Sequence, residues 1–226
     1  MLERFVSCVG TDDAGAGEPA AIRARLRGVF APAFGRRATI LGLLIGGVLR
    51  EALEGDCDAI VYGSTFGETR TLADFLDSFP HPSPTLFQTS VHPSPVQQVM
   101  IDRQQPVREY IPLAGRRCLA ARVLLTALLC PADRVVLCGG EEHGSWLSDF
   151  RMGSDRSFAF AMVLGRSRDA STQGRLRLEP IGETAPEPSG GEQGAMSLSE
   201  FFDLLHARRD YKGPVSAEWR LEVEWS

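Results

Sequence analysis

The sequence predicts an α/β protein, a mixed β-sheet layered with helices in a single core domain, followed by a short C-terminal helix and strand. Three observations carry this expectation. Short apolar runs of strand length alternate with longer segments whose apolar residues recur at helical spacing, the rhythm of strand and helix in layered sheets. The 226 residues are 43% hydrophobic and 23% charged, enough for one sizeable core. A stretch rich in Gly, Pro and Glu at 182–195 reads as a flexible linker between a body at 1–181 and a terminal segment at 196–226.

The elements follow in order. Residues 2–9 alternate and predict a first strand; the Gly and Asp content of 10–17 predicts a loop, and 19–27 a helix. Over 36–53, Ile40, Leu41, Leu44, Ile45, Val48, Leu49 and Leu53 keep helical spacing with few polar interruptions, so this helix is buried. Residues 58–62 form a short apolar strand closing on Gly63-Ser64, and 68–79 an amphipathic helix stopped by the prolines at 80–84. Residues 93–103 predict a helix, because Pro93 and Pro95 fall in its first turn. A strand at 108–113, a second buried helix at 115–129 ended by Pro131, and a strand at 134–138 come next. Strands at 157–164 and 174–181 complete the body. Beyond the linker, 198–207 is an amphipathic helix and 216–225 a strand with Ala217, Trp219, Leu221, Val223 and Trp225 on one face.

Composition narrows the function classes. A net charge of -5 with scattered basic residues gives no electrostatic footprint for nucleic acid. The longest apolar stretch, 40–49, is interrupted by three glycines and too short to span a bilayer, so no membrane span is expected. Five cysteines, Cys8, Cys57, Cys118, Cys130 and Cys138, show no C-x-x-C spacing. Reduced thiols in a cytoplasmic protein fit that pattern, and no metal or cofactor is implied. Glu141-Glu142-His143 reads as a polar loop after a buried strand, since three adjacent side chains do not converge on one ion.

Two motifs point to ancestry. The run Ser83-Pro84-Thr85-Leu86-Phe87-Gln88-Thr89-Ser90-Val91-His92 and the segment Asp133-Arg134-Val135-Val136-Leu137-Cys138-Gly139-Gly140 resemble landmarks of the β-ketoacyl synthases in both order and spacing. The resemblance covers most of the chain and implies the N-terminal half of a thiolase-like fold. Complete condensing enzymes of that family are about twice as long, so the expectation is a chain without the second half and its two histidines. Condensation needs a thiolate to accept the acyl chain and donors for the developing oxyanion. The family offset from Gly139-Gly140 places the nucleophile at Ala114, before Gly115, and an alanine accepts no acyl group. Cys118, read as one turn into the same helix, is either a small core residue or a replacement nucleophile. His92 is a structural histidine or a second catalytic candidate. Ser90, Ala114, Gly115, Gly139 and Gly140 are implied to line the cleft.

The resemblance implies three roles. One is a non-condensing partner in fatty-acid, polyketide or aryl-polyene type biosynthesis. It would form a homodimer, or a heterodimer with a full-length ketoacyl synthase, through the strand at 108–113, with an acyl carrier protein as a possible further partner. The second is an acyl-transferring or condensing enzyme of altered chemistry using Cys118 or His92. The third is an acyl-chain binding module walled by the helix at 115–129 and the strand at 134–138.

Overall fold

The computed structural model describes residues 1–54, 57–91, 94–150, 152–182 and 195–226. Strand β1 (Leu2–Gly15) leads into α1 (Pro19–Leu26), α2 (Pro32–Arg37) and the long buried α3 (Ile40–Ala52). Strand β2 (Ala59–Ser64) is followed by α4 (Thr69–Asp77), α5 (Pro84–Ser90) and α6 (Ser94–Arg103). Next come β3 (Glu109–Ala114), α7 (Leu119–Leu129) and β4 (Arg134–Glu141), then a 3-10 turn at Trp146–Phe150. Strands β5 (Ser157–Gly165) and β6 (Gly174–Pro180) precede α8 (Leu198–His206) and the hairpin of β7 (Tyr211–Pro214) and β8 (Trp219–Trp225).

The strands form one sheet in the order β3-β2-β4-β5-β1-β6-β8-β7. The first three run parallel, joined by helical crossovers, and every pairing from β4·β5 onward is antiparallel. Both faces of the central strands are covered, which explains their unbroken apolar runs. On β4, Val135 and Leu137 pack with α7 and α8, while Val136 and Cys138 pack with α3. On β5, Phe158, Phe160 and Met162 face the α7 side and the small Ala159 and Ala161 face α3. The mixed, helix-layered α/β architecture predicted from the sequence is therefore present.

Three local readings change. The predicted loop at 10–17 is strand up to Gly15, with Asp12 opposite Ala159 and Asp13 opposite Phe158. The carboxylates are accommodated by ion pairs, Asp12 with Arg25 at 2.7 Å and Asp13 with Arg156 at 3.1 Å. The helix predicted over 36–53 divides at Ala38, whose extended backbone lets the Thr39 hydroxyl accept the Gly42 N–H at 2.9 Å and cap α3. At the C-terminal end, Ala217 lies in a turn and β8 begins at Trp219, paired to β6 on one side and β7 on the other. Phe201, Phe202, Leu204 and Leu205 of α8 join the same apolar cluster as α7, so this segment is continuous with the main core.

Candidate functional site

The strand-to-helix turn between β3 and α7 departs most from ordinary backbone geometry. Gly115 has φ +109°, open to glycine alone without strain, and three residues later Cys118 has φ 50° and ψ 35°. A left-handed non-glycine residue persists only where the surroundings hold it, and such residues cluster at functional sites. The sequence expectation of Cys118 one turn into the helix is corrected: Cys118 is the N-cap residue, and its carbonyl accepts the Arg122 N–H at 3.0 Å. Its side chain caps none of the first N–H groups of α7. Ala114, by contrast, ends β3 and is exposed, four residues before the N-cap of α7. The residue positioned at the helix N-terminus is thus the cysteine.

Cys118 is half-buried and lines a cavity of about 340 Å³. The cavity is also lined by Thr65 and Phe66 from the β2–α4 turn, Glu141 from the end of β4, Phe158 of β5, and Met196 to Ser199 at the start of α8. Arg116 and Asp155 are the other ionisable groups among its described lining residues.

Glu141 organises the wall. Its carboxylate accepts the backbone N–H of Thr65, that of Phe66 at 3.2 Å and the Ser64 hydroxyl at 3.1 Å. Ser64 in turn accepts the Gly67 N–H at 2.8 Å, so one buried side chain fixes the whole turn. Burial pushes its pKa up to about 7 against the opposing pull of those donors. Reading 141–143 as a polar loop is corrected here: Glu141 is the last residue of β4, and Glu141 and Glu142 are each only 3% exposed. Glu142 accepts the Arg70 N–H at 2.7 Å, and His143 Nδ1 lies 3.0 Å from the Ser154 carbonyl oxygen. Glu68 is also buried, at the start of α4. The sequence signal for these acids was available: carboxylates after an apolar Gly-Gly strand, opposite the hydroxyl-rich segment 64–69.

The remaining candidates lie elsewhere. Gly139 and Gly140 sit inside the sheet, where an added Cβ would fall 2.6 Å from the Gly63 carbonyl oxygen or 2.5 Å from that of Phe158. Close strand packing requires them, and neither lines the cavity. Ser90 ends α5 and its hydroxyl donates to the Phe87 carbonyl at 2.9 Å. Gly115 shapes the turn without lining the cavity. His92 lies outside the described residues. Among the described residues no cluster of three or more His, Cys, Asp or Glu is arranged to hold a metal, and no helix is long and apolar enough to cross a membrane.

No family model matches the sequence, and no curated protein matches it. Comparison with solved structures is informative. The complex of a ketosynthase (ApeO) with its chain length factor (ApeC) from Xenorhabdus doucetiae contains a chain similar over 98% of this one and 100% of its own, with TM-score 0.68 and 18% identity. The fold is ketosynthase-like. A ketosynthase from module 6 of the bacillaene synthase of Bacillus subtilis 168 aligns over 84% of this chain and 43% of its own, with TM-score 0.49 and 10% identity. The thiolase-like architecture implied by the two sequence motifs is the one the chain adopts.

Proposed function

We propose that this chain is a ketosynthase-like subunit that assembles with a full-length ketosynthase in the cytoplasm and serves fatty-acid, polyketide or aryl-polyene type biosynthesis without itself condensing acyl units. The observation that carries this reading is similarity over 98% of the chain to a component of a solved ketosynthase and chain-length-factor complex. Strand β3 ends the strand order beside β2 among the described residues, so the outer edge of the sheet there offers a surface for such assembly. Glu109 donates its N–H to Asp58 on the β2 side, so the alternation of a strand turns the Ala114 N–H outward. Pro112 lacks an N–H, which blunts the edge against indiscriminate pairing, while Ala114 keeps its outward donor. In this reading residues 1–181 form the ketosynthase-like body and 196–226 a terminal addition. Arg116, which lines the cavity, and the exposed Arg117 and Arg122 near it in sequence suit the approach of an acyl carrier protein.

The test is co-expression with a ketosynthase of the same genome, followed by light scattering. A one-to-one complex is expected, and Ala114→Pro, which removes an outward donor while sparing the bonds to β2, is expected to weaken it at least tenfold with an unchanged melting temperature. Recovery of a lone chain that leaves ketosynthase activity unaffected would sink the proposal.

A second reading rests on Cys118. A thiol at a helix N-terminus has the geometry of an acyl acceptor, because backbone N–H groups there are placed to hold a developing oxyanion. Incubation with acyl thioesters followed by mass spectrometry separates the two. An acyl group on Cys118, lost in Cys118→Ser, would support transfer chemistry; an unmodified Cys118 favours the non-condensing role.

A further inference from the structure

Glu68 and Glu142 present an unusual arrangement that the cavity chemistry does not use. They are 2% and 3% exposed. Oε1 of Glu68 accepts the Thr39 hydroxyl at 2.7 Å and the Ser94 hydroxyl at 3.4 Å. Oε1 of Glu142 accepts the Arg70 N–H at 2.7 Å and the Thr69 hydroxyl at 3.4 Å. Among the described residues, the second oxygen of each, Oε2, is buried with no hydrogen-bonding partner. Nearby cationic charge does not fill the gap, because the Arg70 guanidinium is turned to the carbonyls of His143 and Gly144 at 2.7 and 2.9 Å. Two bare anionic oxygens in one buried region are strongly disfavoured by desolvation alone. The donor that relieves this at least expense is the O–H of a neighbouring carboxylic acid, as in buried acid pairs that hold one proton in common.

We infer that Glu68 and Glu142 share a single proton across their free oxygens, forming a pH-sensitive clasp at the start of α4. One partner reaches α3 through Thr39 and α6 through Ser94, and the other ties the end of β4 to the first turn of α4. The clasp therefore joins three helices to the sheet. Burial first, and then the charge of Glu142, pushes the Glu68 carboxyl well up; burial likewise pushes Glu142 up. The charged and titratable groups facing the pair are Tyr62 from β2, Glu141 from β4 and Arg70 from α4. From α3 and α6 it meets neutral groups, Thr39 and Ser94, the latter accepting from Gln98 at 3.0 Å.

The sign of the pH dependence follows. A carboxyl whose folded pKa is raised binds its proton in the folded chain while the unfolded chain has released it, so stability is present at low pH and lost as pH rises through the folded value. The test compares unfolding equilibria of the wild type, Glu68→Gln, Glu142→Gln and the double variant from pH 5 to pH 8. A glutamine supplies a permanent N–H to the remaining carboxylate. Each single variant is therefore expected to remove the same pH dependence, at most tenfold in the folding constant per pH unit, and the double variant no more than either. Slopes that halve in each single variant and vanish only in the double would overturn the shared proton, as would unchanged slopes. If a variant fails to fold, infrared spectroscopy of the wild type decides. A protonated carboxyl band is expected to persist at pH 8, above the range of Glu141, and its absence would overturn the inference.

Discussion

Helices α3 and α7 lie on opposite faces of the same sheet, and their N-termini could hardly differ more. Both are apolar helices, Ile40–Ala52 and Leu119–Leu129, packed on β4. The start of α3 is closed: Thr39 caps it, and the same hydroxyl donates to buried Glu68. The start of α7 opens instead on a left-handed cysteine without a side-chain cap, facing a cavity. Equal apolarity therefore yields a pillar on one face and a site on the other. What decides between them is the residue at the cap and the backbone it adopts, not the packing stripe.

The contrast can be tested by substitution. The largest effect is expected in the body of the pillar: Leu44→Ala, at a fully buried position, should cost about 2–5 kcal/mol in urea unfolding through lost burial and a residual cavity. Opening its cap should come next, with Thr39→Ala costing about 1–2 kcal/mol because the Gly42 N–H and Glu68 both lose a partner. The smallest effect is expected at Cys118. There Cys118→Gly should leave stability unchanged or raise it by up to about 1 kcal/mol by relieving the left-handed backbone, whereas Cys118→Val should lower it by a similar amount. A glycine variant clearly less stable than the valine variant would mean that the left-handed turn does not govern this position.

The sequence made the body legible wherever one physical signal dominated. Helical spacing from Ile40 to Leu53 located α3, and the apolar run ending in Gly139-Gly140 located a strand buried on both faces. The ketosynthase-like fold followed from the same segment and the Ser83 to His92 run. The site was less legible, because it depends on geometry that spacing does not encode. Counting along the chain fell on Ala114, while the extra turn through Gly115, Arg116 and Arg117 carries the helix start to Cys118. The buried glutamates were missed for a related reason. Carboxylates next to glycine and histidine read as solvated loop until the hydroxyls and backbone N–H groups of 64–70 are seen to satisfy them.

Assembly is the central claim, and native mass spectrometry of the chain co-expressed with a ketosynthase of its own genome tests it most directly. The account predicts a one-to-one heteromer that Ala114→Pro disrupts without unfolding either chain. Two separate species, with ketosynthase turnover the same whether or not this chain is present, would contradict it.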